Sequence, residues 1–298
     1  MLDATRPAPA DNWVMAWAAE IPRVLSGLAS ALQGGRLTEP VLHKSRRDLK
    51  RLRSLLRLAP RSCALLADET REITGELRRS LGLSRDATVM LKTLRSLAEE
   101  LGEAETRIKP VLTAHHRAVA ATLDRSSRRG DRDRIVRLGA VWRGRAVQGQ
   151  VADLRQQAVK TYRLARRRAK ALGKGKDAAL HPLRKASVDH QNHLAFFAAG
   201  TKGKIATRHA KVKRLRDQLG LCHDLEVLRD FVRTRADISA GDLIKLEEVL
   251  AQRHRGLVGK SIKLADSLLE DKPRDFARWL KNEMGKRREA EDGLGAKS

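Results

Sequence analysis

The chain has 298 residues, and its 62 Lys plus Arg outweigh 36 Asp plus Glu, giving a formal charge of +26 and a pI near 11.0. That length allows a sizeable core in one or two domains, and the charge calls for a polyanionic partner: nucleic acid, an anionic membrane or a phosphate polymer. An aromatic content of 3% argues against a single-strand nucleic-acid binder that stacks bases. Cys63 and Cys222 are far apart with no CxxC, so no disulfide framework, zinc site or other cofactor is expected, and a reduced cytoplasmic protein is.

In chain order, residues 1–12 read as a disordered tail without the basic region and apolar core of a signal peptide. Trp13 to Leu32 has the period of an amphipathic helix, ended by Gln33-Gly34-Gly35. Val41 to Leu58 follows, VLHKSRRDLKRLRSLLRL, and stops at Ala59-Pro60. Residues 62–80 predict a helix closed by Leu81-Gly82. Ser84 is placed as the N-cap of the next helix, which runs to Leu101-Gly102. Pro110 is taken to open a further helix to about Leu123, and Arg125–Arg134 (RSSRRGDRDR) to be a charged linker. Residues 135–172 are helical in pattern and very basic, and Gly173-Lys174-Gly175-Lys176 breaks them. No uncharged apolar run reaches 18 residues, so no membrane insertion is expected. No period-two strand pattern occurs, so the fold class is all-α.

The Val41–Leu58 helix carries the main signal. On a helical wheel Leu49, Leu52, Leu55, Leu56 and Ala59 gather on one side. His43, Arg46, Arg47, Lys50, Arg53 and Arg57 gather within roughly 120° on another. The only acid there is Asp48, whereas a merely solvated face usually mixes signs. The plain alternative is a basic surface helix; the sharper reading is a rigid row of donors for a polyanion.

This stretch then returns. Leu180-His181-Pro182-Leu183-Arg184-Lys185 repeats Leu42-His43-Lys44-Ser45-Arg46-Arg47, and Leu219-Gly220-x-x-His223-Asp224 repeats Leu81-Gly82-x-x-Arg85-Asp86, each at an offset of 138 residues (181 − 43, 219 − 81). A common offset across separate motifs indicates an internal duplication. It predicts two helical bundles, about 13–130 and 135–285, related by a pseudo-twofold, with a flexible tail at 286–298. At the places of Lys50, Arg53 and Arg57 the second copy has Val188, Gln191 and Ala195. Its next helix supplies charge instead, through Lys202, Lys204, Arg208, Lys211, Lys213, Arg214 and Arg216.

These residues resemble the CHAD family, the conserved histidine α-helical domain. The resemblance rests on His43-x-x-Arg46 with Lys50-Arg51-Leu52-Arg53, on Leu81-Gly82-x-x-Arg85-Asp86, and on His181-x-x-Arg184-Lys185 with Leu219-Gly220-x-x-His223-Asp224. It covers roughly residues 36 to 285. It implies two four-helix bundles with a basic surface or pore between them, and binding of inorganic polyphosphate by a stand-alone, non-catalytic cytoplasmic protein associated with polyphosphate granules. The phosphate-binding residues expected on that basis are His43, Arg46, Arg47, Lys50, Arg51, Arg53, Arg57, His181, Arg184, Lys185, Lys202, Lys204, Arg208, Lys211 and Arg214. Arg pairs two phosphate oxygens at once, Lys acts as a point charge, and counterion release makes the binding salt-dependent. Nucleic acid is a secondary partner, read through its backbone alone.

Other signals point elsewhere. His190 and His193 lie on the apolar side of their helix, as core histidines do. His223-Asp224 is similar to the HD pair of metal-dependent phosphohydrolases, but Arg85 stands where the symmetry-related histidine would be. Asp86 and Asp224 are better read as acceptors for helix N-terminal amides or a basic neighbour. His115 and His116 are adjacent and point about 100° apart. Gly173–Lys176 lacks P-loop spacing. Glu103-x-Glu105-x-Arg107 is a near miss for the ExExK of triphosphate tunnel barrels, without the strands.

Overall fold

A computed structural model describes residues 13–33, 38–121, 125–199 and 203–295. Among them every regular element is helical. The elements are α1 (Trp13–Gln33), α2 (Glu39–Leu56), α3 (Ala64–Ser80), α4 (Gly82–Arg95), α5 (Ala98–Leu101), α6 (Glu103–Ala121), α7 (Arg125–Gly144), α8 (Val151–Gly173), α9 (Leu180–Phe197), α10 (Lys204–Val232), α11 (Ala240–Leu268) and α12 (Pro273–Gly295), with 3₁₀ turns at Arg61–Cys63 and Asp177–Ala179.

Buried stripes at i, i+3 and i+4 explain most of these helices. α1 buries Trp17, Ile21, Val24, Leu25, Leu28 and Leu32, and α2 buries Leu49, Leu52, Leu55 and Leu56. α8 starts on a capping box in which the Gln150 side chain and Asp153 satisfy each other's backbone amides. It ends at Gly173, and the chain turns away at Gly175, whose φ of 74° a side chain would strain.

Several sequence expectations are overturned. Pro110 lies inside α6, not at its start. The buried stripe Ala104, Ile108, Leu112 runs across it, and burying those side chains at about 1.5–3 kcal/mol for each large one offsets the roughly 3 kcal/mol of an interior proline. Arg125–Arg134 is not a linker but the first half of α7. Ile135, Leu138 and Trp142 anchor that helix in the core, Arg134 pairs with Glu76 at 2.7 Å, and extension from an anchored helix is cheap. The basic run 135–172 is interrupted at residues 145–150. Ser84 is inside α4, whose N-cap is Leu81, and that helix ends at Arg95 rather than Leu101. The predicted tail is helical through Gly295, while residues 1–12 and 296–298 lie outside the described residues.

The duplication is visible in the helix order. Adding 138 to the start of α1 gives the start of α8 (13 to 151), α2 answers α9, and α3 plus α4 answer α10. The difference is that the first half breaks at Leu81 while α10 continues through Leu219-Gly220. The halves do not, however, each close a bundle of their own. One core joins α1, α2, α3 and α7 to α8, α9, α12 and the first half of α10. The other joins α4, α5 and α6 of the first half to the end of α10 and the start of α11. The break at Leu81 sends Ala87, Met90 and Leu94 away from the first core and against Leu225, Leu228 and Val232. α10, about 44 Å long at 1.5 Å per residue, spans both cores.

Candidate functional site

The two motif helices meet at the centre, where α2 packs on α9. Ser54 donates to the buried Asp189 carboxylate at 2.8 Å, Asn192 donates to the Ser54 hydroxyl at 3.0 Å, and His193 Nε2 donates to the Ser54 carbonyl at 2.7 Å. Arg57 and Arg53 close on the same carboxylate at 3.2 and 3.8 Å. This junction positions everything on either side of it.

His193 is thus a core histidine with a backbone partner. Burial drives its pKa down to about 4. His190 is buried between Tyr162 and Phe276, and burial, then Arg208, hold it well below the ordinary range. Both imidazoles fold neutral, so their stabilisation is complete above an unfolded pKa near 6.5 and is lost as pH falls toward their folded values. At 1.36 kcal/mol per unit, His193 alone should remove about 3 kcal/mol between pH 6.5 and 4. Urea midpoints at pH 7, 5.5 and 4.5 should fall steeply, and His193→Gln, which keeps a donor for Ser54, should flatten the curve; an unchanged slope would contradict this.

On one side of the junction α2, α9 and α10 enclose a cleft of about 420 Å³. α2 contributes His43, Arg46, Arg47 and Lys50. α9 contributes Arg184, Val188 and Asn192. α10 contributes Arg216, Asp217, Gly220, Leu221 and Asp224. Five fixed cations (Arg46, Arg47, Lys50, Arg184, Arg216) face two carboxylates. Asp217 is held by Arg216 and by Lys213 at 3.0 Å, which lowers its pKa although burial, the largest influence, opposes the shift.

The pairing of the two motifs has a physical reason. Arg46 Nη1 donates to the carbonyl of Leu81, the N-cap of α4, at 2.7 Å where α3 gives way to α4. Its other terminal nitrogen lies 4.0 Å from Asp86. A Cβ on Gly82 would touch that guanidinium at 3.5 Å. Asp86 therefore faces the basic neighbour expected for it.

The remaining expected residues disperse. Arg51 pairs with Glu20 at 2.6 Å, on another face. His181 lies beside His223, ring centroids 5.6 Å apart, and burial, then Lys185, lower its pKa. Lys185, Lys204, Lys211 and Arg214 are exposed and outside the cleft. Arg208 turns inward: it donates to Asp271 and to the Leu268 carbonyl, and lies 5.1 Å from the Phe276 ring centroid and 4.9 Å from that of Trp279. Its guanidinium cements α12 to α8 and α10, a role its place in a basic run conceals. Lys202 lies outside the described residues.

The HD-like pair separates. Asp224 lines the cleft, while His223 and His254 sit 3.7 and 3.2 Å from Glu226, whose pKa these two partners hold down at about 2. His115 lies against Phe231 and His116 reaches Thr88, so the two do not act together. Among the described residues no group of three or more His, Cys, Asp or Glu side chains is arranged to hold a metal, and no helix is long and apolar enough to cross a membrane. Cys63 and Cys222 are free and buried.

Sequence reasoning counted Arg216 among the basic run but did not place it in the site. Its signal was position, one turn before Leu219-Gly220 on the face that carries Gly220 and Asp224.

Comparison with known proteins agrees with this geometry. The crystal structure of the CHAD domain from the plant Ricinus communis matches with a TM-score of 0.56 at 19% sequence identity, over 91% of this chain and 96% of that one, a likeness of fold. No curated protein matches the chain. A family model described as the CHAD domain matches residues 22–233, which take in both histidine–arginine motifs and both Leu-Gly motifs. With most of its length matched by that model, the chain belongs to the CHAD family.

Proposed function

We propose that this protein binds inorganic polyphosphate without catalysis, through the cleft between α2, α9 and α10, and that it attaches in the cytoplasm to polyphosphate granules. The observation that carries the reading is the convergence of five fixed cations from three helices on a single cleft. A linear phosphate polymer has no bases to read. It rewards stiff rows of cations, and α2 supplies Arg46, Arg47 and Lys50 on less than two turns. The carboxylates in the cleft fit this role: Asp217 is committed to Arg216 and Lys213, an ion-pair arrangement rather than a metal-binding one.

The discriminating experiment is a competition. Protein loaded with labelled long-chain polyphosphate at about 0.15 M salt, where unspecific phosphate contacts are already weakened, is titrated with duplex DNA at equal phosphate concentration. Poor competition by DNA is the expected result. Equal competition would mean that the +26 charge alone accounts for binding, and the polyphosphate assignment would fall to a nonspecific nucleic-acid coat. Metal-dependent shortening of the chains would instead indicate a phosphohydrolase.

The two motif histidines should behave differently. His43 lines the cleft and His181 does not. His43→Ala, which removes a ring-nitrogen donor from the cleft, should weaken polyphosphate binding severalfold. His181→Ala should leave it unchanged. Equal loss in both variants, measured by fluorescence anisotropy, would refute the asymmetry.

A further inference from the structure

The cationic row of α2 does not end at the first cleft. Beyond the Ser54–Asp189 junction, Arg57 lines a second cleft of about 300 Å³ between α2, α3 and α8, together with Arg71 and Lys160. Arg53 lies beside it on Asp189. Burial lowers the pKa of Arg53 against the opposing charge of Asp189, and burial, then Arg57, lowers that of Arg71. Four cations here meet only two carboxylates. Asp189 serves Arg53 and Arg57, and Asp68 on the rim serves Arg71. Lys160 pairs with no carboxylate among the described residues. Thr161 and Gln157 add neutral donors to the same wall.

Among the described residues the other half of the duplication packs its equivalent positions differently. At the offset of 138, Arg57, Ala59 and Arg71 become Ala195, Phe197 and His209, and Lys160 corresponds to Pro22. Phe197 fills its place with aromatic packing, its ring centroid 5.5 Å from that of Trp13. A duplicated frame that packs an aromatic core on one side holds on the other a cavity with a surplus of positive charge. Such concentration of like charge is unfavourable until an anion neutralises it.

We infer that this second cleft is a separate phosphate-binding site, which takes a phosphate group of a polyanion through Arg57, Arg71 and Lys160. From Arg47 to Arg57 is about 15 Å along the helix axis, so one long chain can engage both clefts while a short one occupies a single cleft. This rests on the polyphosphate reading and adds a second site to it.

The test uses tripolyphosphate, too short to bridge, in isothermal titration calorimetry. The wild type should bind two molecules. Arg71→Ala with Lys160→Ala, which spares both partners of Asp189, should bind one and lose at least tenfold in affinity for long chains. Should that pair fail to fold, Lys160→Glu at its exposed position should give the same drop to one. Lys50→Ala with Arg184→Ala should also bind one, at the remaining cleft. A wild type that binds one tripolyphosphate, or a second-cleft variant that still binds two, overturns this inference while leaving the first cleft's function standing. A wild type that binds no polyphosphate of any length overturns both.

Discussion

Lys50→Ala combined with Arg184→Ala should weaken long-chain polyphosphate binding about a hundredfold at 0.15 M salt. On the proposed reading, each side chain supplies a charge-assisted contact from a different helix lining the first cleft. Such contacts are worth about 1.5 kcal/mol or more apiece, and about 1.4 kcal/mol is a factor of ten in affinity. The slope of log affinity against log salt should fall by roughly 1.5, two phosphate contacts' worth. Arg46 is the poorer choice of target, because it also holds the Leu81 carbonyl and its loss would disturb the α3–α4 break. The control is Lys260→Ala with Lys263→Ala, which removes the same charge from exposed positions on α11. If control and test variants lose affinity equally, total charge governs binding and the cleft has no special role.

The largest stability effect should come from Asp189→Ala. Its carboxylate is 4% exposed and holds Ser54, Arg53 and Arg57 at the contact of the two motif helices. Removing one member of a buried ion pair strands the other and costs about 3–5 kcal/mol. For a chain of this size that should lower the melting temperature by roughly 10 °C. Asp189→Asn, which still accepts from Ser54, should cost less. Adding Arg53→Leu to Asp189→Ala should recover part of the loss, because it withdraws the half-buried cation left behind. A calorimetric scan in which Asp189→Ala melts with the wild type would show that solvent already screens this group.

The elements differ in how readily they could be read. α1, α2, α9 and the end of α8 follow from apolar period, Pro60 and Gly175, which act over one or two turns and so are written locally. The first halves of α6 and α7 were not legible for the opposite reason. Pro110 and the RSSRRGDRDR run are unfavourable locally, and only the burial of Ile108, Leu112, Leu138 and Trp142 against distant helices outweighs them.

By itself the sequence determined the all-α class, the 138-residue duplication and the residues that carry the family motifs, since periodicity and repetition survive without coordinates. It also named four of the five fixed cations of the first cleft. The tertiary structure decided which cations act together. An arginine in a basic run looks the same whether it faces a cleft, as Arg184 does, spans a buried carboxylate, as Arg57 does, or lies on aromatic rings, as Arg208 does. Those outcomes depend on which carboxylate, ring or carbonyl another helix brings within a few ångströms. The division into cores was decided in the same way: the one-residue break at Leu81 sends α4–α6 to the partner half, and Arg46 from α2 donates to the Leu81 carbonyl at that break.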